Sequence, residues 1–189
     1  KSFGEHVALY AAASVPRSCS EQRGRKLISM PFRIGYGYDV HQLAPGEEFW
    51  LGGIRIEHSH GAVGHSDADV LLHVICDALL GALALRDIGF HFPDTDAQYK
   101  GVDSKKLLQH TYDLITEAGW QLANLDSTIC LQEPKISPHV DHMRRCVSGL
   151  LGVELNQVSI KATTTEKLGF VGVKEGISAH AVVLLERPS

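Results

Sequence analysis

Alternating hydrophobic and polar residues mark the first regular element of the chain. Residues 32–41 follow a period of two, which predicts a β-strand with Asp39 and His41 on the same face. Residues 49–51 and 54–56 are two short apolar runs separated by two glycines, a pattern typical of a β-hairpin. The fold is therefore expected to begin with a strand that carries two potential metal ligands.

Helical periodicity follows, starting at His65. Apolar residues recur every three or four positions up to about Leu85, which predicts a helix, and Ser66 or Asp67 is placed to cap its N-terminus. Two more helices and three more strands are predicted at residues 103–119, 139–151, 122–131, 158–162 and 177–185. This order predicts an α/β (α+β) fold, a mixed β-sheet with helices packed on one face.

Composition narrows the class of protein. The chain has 189 residues, 44% of them hydrophobic, with a formal net charge of −4, which predicts one globular domain at residues 30–189. Neither a basic run nor an apolar stretch of membrane-spanning length occurs in the sequence, so neither nucleic acid nor a membrane is expected as a partner. The four cysteines lack metal-binding spacing, which is typical of a reduced, cytoplasmic protein.

Residues 1–29 differ from the rest of the chain. They carry arginine and serine but few acidic residues, a composition typical of a transit peptide, which would imply a plastid location. Met30 stands directly before the first predicted strand, however, and this favours a disordered or non-native extension.

A candidate metal site combines the first strand with the first helix. Asp39 and His41 supply one carboxylate and one imidazole, and His73 projects from within the predicted helix. Two histidines and one carboxylate leave a fourth position open, as catalytic zinc requires. Asp69, His73 and Asp77 recur every four residues, so one of the two aspartates is expected to orient the other ring nitrogen of His73.

A candidate phosphate site lies between the last two predicted strands. Three threonines at residues 163–165 follow a strand, and the glycines nearby allow a close approach of the backbone to a ligand. Together with Ser66 and Lys135, these groups predict a substrate that carries phosphates beside the metal.

The residues alone leave two other classes open. A nucleotide- or metal-binding module would use the same threonine- and glycine-rich loop without needing an open metal position. A zinc phosphohydrolase would need two metals bridged by carboxylates, and the chain offers Asp67, Asp69, Asp94 and Asp96 for that purpose.

Several separated motifs, taken together, resemble the 2-C-methyl-D-erythritol 2,4-cyclodiphosphate synthases of the non-mevalonate isoprenoid pathway. The motifs are Gly37-Tyr38-Asp39-Val40-His41, residues 65–69 with His73, Asp87-Ile88-Gly89, residues 92–96, Pro134-Lys135 and residues 161–170. They occur in the family's order and extend over nearly all of residues 32–185.

The resemblance implies a phosphorus–oxygen lyase. Its substrate would be 4-diphosphocytidyl-2-C-methyl-D-erythritol 2-phosphate, and its products the 2,4-cyclodiphosphate and CMP. Zinc would bind Asp39, His41 and His73, while Mg²⁺ or Mn²⁺ would bridge the diphosphate of the substrate. The family implies a homotrimer with active sites between subunits.

The resemblance also implies roles for single residues. The catalytic residues would be Asp39, His41, His65, Lys135, Thr164 and Glu166. The substrate would contact Asp39, Val40, His41, His65, Ser66, Asp87, Ile88, Gly89, Phe92, Pro93, Asp94, Thr95, Asp96, Leu131, Gln132, Glu133, Pro134, Lys135, Ile136, Ser137, Thr163, Thr164, Thr165, Glu166, Phe170 and Val173. Of these, residues 92–96 would close over the site, and residues 131–137 would hold cytosine.

Two positions depart from the family pattern. Val173 stands where the family often has an arginine that lines a cavity on the trimer axis, and Lys174 is the nearest basic substitute. Ala68 stands where a glycine is common, and little effect is expected because alanine is a good helix former.

Overall fold

The computed structural model describes residues 31–93 and 101–188, in which four strands come first, three helices follow, and strands then alternate with helices. The described strands are β1 Phe32–Pro45, β2 Trp50–Leu51, β3 Ile54–Arg55, β4 His60–Ala62, β5 Gln121–Cys130, β6 Val158–Thr163 and β7 Gly176–Glu186. The described helices are α1 Val70–Ala82, α2 Ile88–His91, α3 Ser104–Glu117, α4 Val140–Leu151 and α5 Gly169–Gly172, with 3-10 turns at Ser137–His139 and Leu155–Gln157.

Five strands form a mixed sheet in the order β4-β1-β7-β5-β6, and β2 and β3 form a separate hairpin. Strand β7 runs antiparallel to β1 and β5, while β5 and β6 are parallel. The register places Val40, Ser178, Cys130 and Thr163 in one row across four strands. The end of β1 that carries His41 is thus at the same edge of the sheet as the threonines after β6.

The helices pack on one face of the sheet, as predicted. Helix α1 lies against β1 and β7, with Leu71, Leu72 and Ile75 completely buried. The opposite face carries large apolar side chains that remain exposed in the single chain, including Ile34 at 72% and Tyr36 at 58%. One face therefore forms the core, and the other presents an apolar surface.

Helix α1 approaches β1 unusually closely because β1 has glycines at the contact. A Cβ atom at Gly35 would lie 1.8 Å from the carbonyl oxygen of Ala78, and one at Gly37 would lie 2.0 Å from that of Val74. Backbone therefore packs directly on backbone, which brings the side chain of His73 to the level of Asp39 and His41.

The bounds of α1 differ from the prediction. The helix begins at Val70 with Asp69 as its N-cap, rather than near His65 with Ser66 or Asp67 as the cap, because Asp69 accepts the N–H of Leu72. Ser66 and Asp67 instead accept the backbone N–H groups of Ala68 and Asp69. The helix ends at Ala82 rather than Leu85, since residues 84 and 86 have positive φ angles.

Ala68 lies in the turn before α1 and not inside the helix. Its φ angle is +55°, in the left-handed region where glycine is favoured, and its side chain is 1% exposed. The prediction that alanine acts there as a helix former is therefore wrong.

Two predictions lie outside the described residues. They concern the extension at residues 1–29 and the substrate contacts of Asp94, Thr95 and Asp96. The domain boundary near residue 30 also stays a prediction. In the part of the chain that the structure describes, helices of the length and apolarity needed to span a membrane are absent.

Candidate metal centre and ligand cleft

Asp39, His41 and His73 converge on one point. The Asp39 Oδ2 atom lies 3.2 Å from His41 Nε2 and 3.1 Å from His73 Nδ1, and the two ring nitrogens are 3.1 Å apart. One ligand atom from each residue therefore lies within 4.8 Å of the others. The metal site predicted on these three residues is confirmed.

The electrostatics of the centre favour a charged carboxylate. Burial of Asp39 raises its pKa, but hydrogen bonds from His41 and His73, together with their charges, outweigh burial and lower the pKa well below its usual range. Burial lowers the pKa of His41, and the hydrogen bond and charge of Asp39 reverse this to a net increase. A divalent cation at the centre competes with that imidazole proton for the same nitrogen.

One carboxylate and two imidazoles are a donor set that suits zinc and leaves a fourth position for a ligand. That position faces a cleft of about 550 Å³, which is lined by both histidines of the centre and by His65, Ser66, Ile88, Gly89 and Phe92. All five of these additional residues were predicted to contact substrate. The cleft therefore combines a metal centre with groups that can bind a polar ligand.

The outer contacts of His73 differ from the prediction. Asp69 is completely buried and accepts the backbone N–H groups of Gly52 and Gly53, at 2.9 and 2.6 Å, as well as that of Leu72. Its carboxylate thus joins the β2–β3 hairpin to the start of α1. Because Asp69 lies outside the helix, a spacing of four does not place it beside the ring of His73.

Asp77 also has another partner. Its Oδ1 atom accepts the backbone N–H of Ile88 at 2.8 Å, so it fixes the start of α2 rather than His73. The ring nitrogen of His73 that points away from the metal centre, Nε2, faces hydroxyl groups instead. It lies 3.2 Å from Ser66 Oγ and 3.0 Å from Ser104 Oγ. Ser104 was not among the predicted site residues; it is the first residue of α3, and Asp103 caps that helix.

Comparisons with known proteins agree with this geometry. The YgbB family model matches residues 32–186. The chain belongs to the YgbB family. A curated relative from Porphyromonas gingivalis named 2-C-methyl-D-erythritol 2,4-cyclodiphosphate synthase is 59% identical over 158 residues, covering 84% of this chain and 98% of the relative. The resemblance drawn from the motifs is confirmed.

Solved structures give the same result. The bifunctional IspDF from Campylobacter jejuni is similar with a TM-score of 0.81 and 39% identity, over 84% of this chain and 43% of that one. A CDP complex of IspF from Plasmodium falciparum has a TM-score of 0.75 and 34% identity, over 84% and 97% of the two chains. The predicted mixed α+β fold is confirmed.

Other predicted substrate contacts of this YgbB-family protein lie near the cleft or behind it. Asp87 caps α2 by accepting the N–H of Phe90 at 2.9 Å, which orients the backbone of Ile88 and Gly89. Pro93 directly follows Phe92. Val40 is exposed on the other face of β1, away from the side chains of the metal ligands.

A second group of predicted residues does not line the cleft. Residues 131–137 and 163–166, here called the β5–β6 edge, follow β5 and β6 at the same edge of the sheet as His41. Strand β5 is two strand spacings, or about 10 Å, from β1, and β6 is three spacings, or about 14 Å, from it. Thr164 Oγ1 donates to Glu166 Oε1 at 2.6 Å, and Lys135 is exposed. In one chain, the predicted site is therefore split into two parts.

Phe170 and Val173 lie outside the metal cleft. Phe170 lines a second cavity of about 510 Å³ on the bare face of the sheet, together with Tyr36, His180 and Thr165 of the β5–β6 edge. Val173 is 59% exposed, and the neighbouring Lys174 forms an ion pair with Glu133 at 2.8 Å. Lys174 thus already has an anionic partner within the chain.

Proposed function

We propose that this protein converts 4-diphosphocytidyl-2-C-methyl-D-erythritol 2-phosphate into 2-C-methyl-D-erythritol 2,4-cyclodiphosphate and CMP. The observation that carries the proposal is the Asp39–His41–His73 centre, which opens onto a cleft lined by His65 and Ser66. The name of the Porphyromonas gingivalis relative supports the same reaction. A cytoplasmic location is part of the proposal, and the bacterial source of that relative supports it.

In the proposed reaction, an oxygen of the substrate's 2-phosphate attacks the β-phosphorus of the diphosphate. The bond from that phosphorus to the bridging oxygen breaks, and the electron pair leaves with CMP. When bound, zinc supplies Lewis-acid polarisation of a phosphate oxygen. The protein itself aligns the reacting groups, because the substrate provides the nucleophile.

Each part of the cleft has a role in this alignment. Asp39, His41 and His73 hold the metal, while His65 and the Ser66 hydroxyl bind the attacking phosphate. The backbone of Ile88 and Gly89, positioned by Asp77 and Asp87, lies where the erythritol hydroxyls are expected.

The β5–β6 edge binds the cytidine diphosphate in this proposal. Residues 131–137 hold the base, Lys135 neutralises phosphate charge, and Thr163, Thr164, Thr165 and Glu166 face the diphosphate and its Mg²⁺ or Mn²⁺. Within one chain, about 14 Å separates β1 from β6, which is too far for one diphosphate to contact both the metal centre and residues 163–166. The edge of one subunit therefore completes the cleft of another.

We further propose a homotrimer that buries the bare face of the sheet. Ile34, Tyr36, Val40 and Val182 are between 43% and 72% exposed there, on two adjacent strands. A contiguous apolar patch of this kind is typical of a subunit interface.

A 31P NMR time course tests the reaction. The zinc-loaded protein with Mg²⁺ and the cytidine diphosphate substrate is expected to yield cyclic diphosphate and CMP in equal amounts. Inorganic phosphate or an acyclic product would indicate a hydrolase instead, and unchanged substrate with tight binding would indicate a binding protein.

Mixing two inactive variants tests the shared site. His73→Ala removes a metal ligand from the cleft, and Glu166→Gln alters the β5–β6 edge. Co-expressed chains are expected to recover part of the wild-type turnover, because mixed trimers contain clefts in which both groups are intact. Equal inactivity of the mixture and of each variant alone would show that one chain supplies the whole site.

A further inference from the structure

The two histidines of the metal centre have different outer partners. His41 Nδ1 lies 3.1 Å from the carbonyl oxygen of Val63, which can only accept a hydrogen bond. In the neutral ring, the proton of His41 is therefore fixed on Nδ1, and Nε2 presents its lone pair to the centre. His73 Nε2 instead faces the hydroxyl oxygens of Ser66 and Ser104.

Hydroxyl groups do not fix the proton of a histidine by themselves, because they can donate or accept. If a serine donated to His73 Nε2, the neutral ring would carry its proton on Nδ1. That atom lies 3.1 Å from both Asp39 Oδ2 and His41 Nε2, where the metal is expected. The direction of the hydrogen bond between Ser104 and His73 therefore decides whether Nδ1 can bind a metal.

Asp67 determines this direction. Ser104 Oγ donates to Asp67 Oδ1 at 2.5 Å, and the backbone N–H of Ser104 donates to Asp67 Oδ2 at 3.0 Å. Both carboxylate oxygens of Asp67 accept backbone N–H groups, from Asp69 and Ser104, so the hydroxyl hydrogen of Ser104 is committed to Asp67 and the Ser104 oxygen accepts from His73. Ser104 is completely buried, which shields these hydrogen bonds from water.

We propose that Asp67 and Ser104 form a relay that keeps the ring proton of His73 on Nε2 when Nδ1 binds a metal instead of hydrogen-bonding to Asp39. Both are positioning residues, because they act through His73. Asp67 precedes α1 and Ser104 is the first residue of α3, so the relay also connects these two helices at the metal centre. The inference rests on the metal site of the proposed function.

The relay also affects Ser66. The Ser66 oxygen accepts the backbone N–H of Ala68 at 3.1 Å and lies 3.2 Å from His73 Nε2, which is protonated in this arrangement. The Ser66 hydroxyl hydrogen is therefore available to a ligand in the cleft that Ser66 lines. Such a donor suits a phosphate oxygen.

The position of the ring proton is measured directly by long-range 1H–15N NMR of the histidine side chains in the zinc-loaded protein, without substrate. We expect a protonated Nε2 and a zinc-bound, unprotonated Nδ1 on His73. A proton on Nδ1, or zinc bound through Nε2, would overturn the relay.

Zinc affinity of variants tests the role of Asp67. In Asp67→Asn, the amide oxygen is expected to stay with the Ser104 N–H at 3.0 Å rather than the Asp69 N–H at 3.3 Å. The amide NH₂ then donates to Ser104 Oγ and reverses the relay. We expect zinc affinity, measured by competition with a chromophoric chelator, to fall roughly 10- to 100-fold.

Ser104→Ala is expected to lose less zinc affinity than Asp67→Asn, because His73 Nε2–H keeps Ser66 as an acceptor. Ser104→Thr retains a hydroxyl and is expected to restore affinity. If Ser104→Ala does not fold, the isosteric Asp67→Asn variant decides the question.

Asp103→Asn is the matched control. Asp103 caps α3 next to Ser104, and asparagine caps equally well, so wild-type zinc affinity is expected. Wild-type affinity in folded Asp67→Asn would overturn the relay even if cyclisation proceeds. If the zinc-loaded wild type had its His73 proton on Nε2 but formed no cyclic product, the proposed function would be wrong and the relay would stand.

Discussion

The metal centre and the β5–β6 edge differ in how much of their environment one chain supplies. The side chains of Asp39, His41 and His73 are only 30%, 17% and 12% exposed, and each has a further hydrogen bond within the chain. At the β5–β6 edge, Thr164 and Glu166 are exposed and bond to each other. Packing within one chain thus preorganises the metal centre, while the β5–β6 edge stays exposed in the single chain.

The largest expected effect is at the metal centre. His73→Ala removes one of three ligands, so zinc retention and turnover are expected to be lost while the subunit assembly stays intact. Metal content, 31P NMR and light scattering measure these three properties. His142→Ala, on an exposed position of α4, is the matched control and is expected to behave as wild type. An active, zinc-free His73→Ala protein would contradict the ligand assignment.

Gly37→Ala is expected to disturb the metal centre by changing how α1 packs on β1. The new methyl group would lie 2.0 Å from the Val74 carbonyl oxygen, so α1 must move away from β1 and take His73 with it. We expect a loss of about 1–3 kcal/mol in the free energy of unfolding, together with weaker zinc binding. Chemical denaturation and chelator competition measure the two effects.

Gly149→Ala is the control for this substitution. Its methyl group would meet no atom within 4 Å, and the position is an exposed site in α4, so stability is expected to stay equal or rise. If Gly37→Ala bound zinc as wild type does, close helix–strand contact would not be what positions His73.

The raised pKa of His41 predicts a pH dependence of the metal centre. In metal-free protein, the Asp39–His41 pair contributes stability below pH about 6.5, and this contribution is lost as pH rises through the raised pKa of His41. Below that pKa, zinc must displace the proton, so its affinity is expected to rise about tenfold per pH unit. The ordinary pKa of histidine is about 6.5. Chelator competition between about pH 5.5 and 8 therefore measures how steeply zinc affinity rises with pH. A flat profile would contradict a charged His41 in the metal-free centre.

The smallest effect is expected at the open edge. Lys135→Ala removes one exposed cation. Because one hydrogen bond to a charged phosphate is lost, KM is expected to rise roughly tenfold, while zinc affinity stays unchanged. Lys106→Ala, an exposed lysine on α3, serves as the control. An unchanged KM in Lys135→Ala would count against its contact with phosphate, and altered zinc binding would contradict the separation of the two regions.

Local patterns of the sequence determined much of the fold. Period-two alternation placed Asp39 and His41 on one face of β1, and the structure confirms both as neighbours of His73. The last helix was predicted at residues 139–151, and α4 spans Val140–Leu151 with Gly152 in the left-handed conformation after it. These features depend on residues close together in the chain, where side-chain direction follows directly from backbone geometry.

Contacts between distant segments were decided only by the tertiary structure. Asp69 was expected beside His73, but its buried carboxylate is used by the backbone of a hairpin sixteen and seventeen residues away. Ser104, 31 residues beyond His73, takes the expected place of the aspartate. Helical spacing predicts which residues share a face, but it does not predict which backbone donor from another segment needs that carboxylate. Burial makes that need decisive, because an unpaired buried N–H is costly.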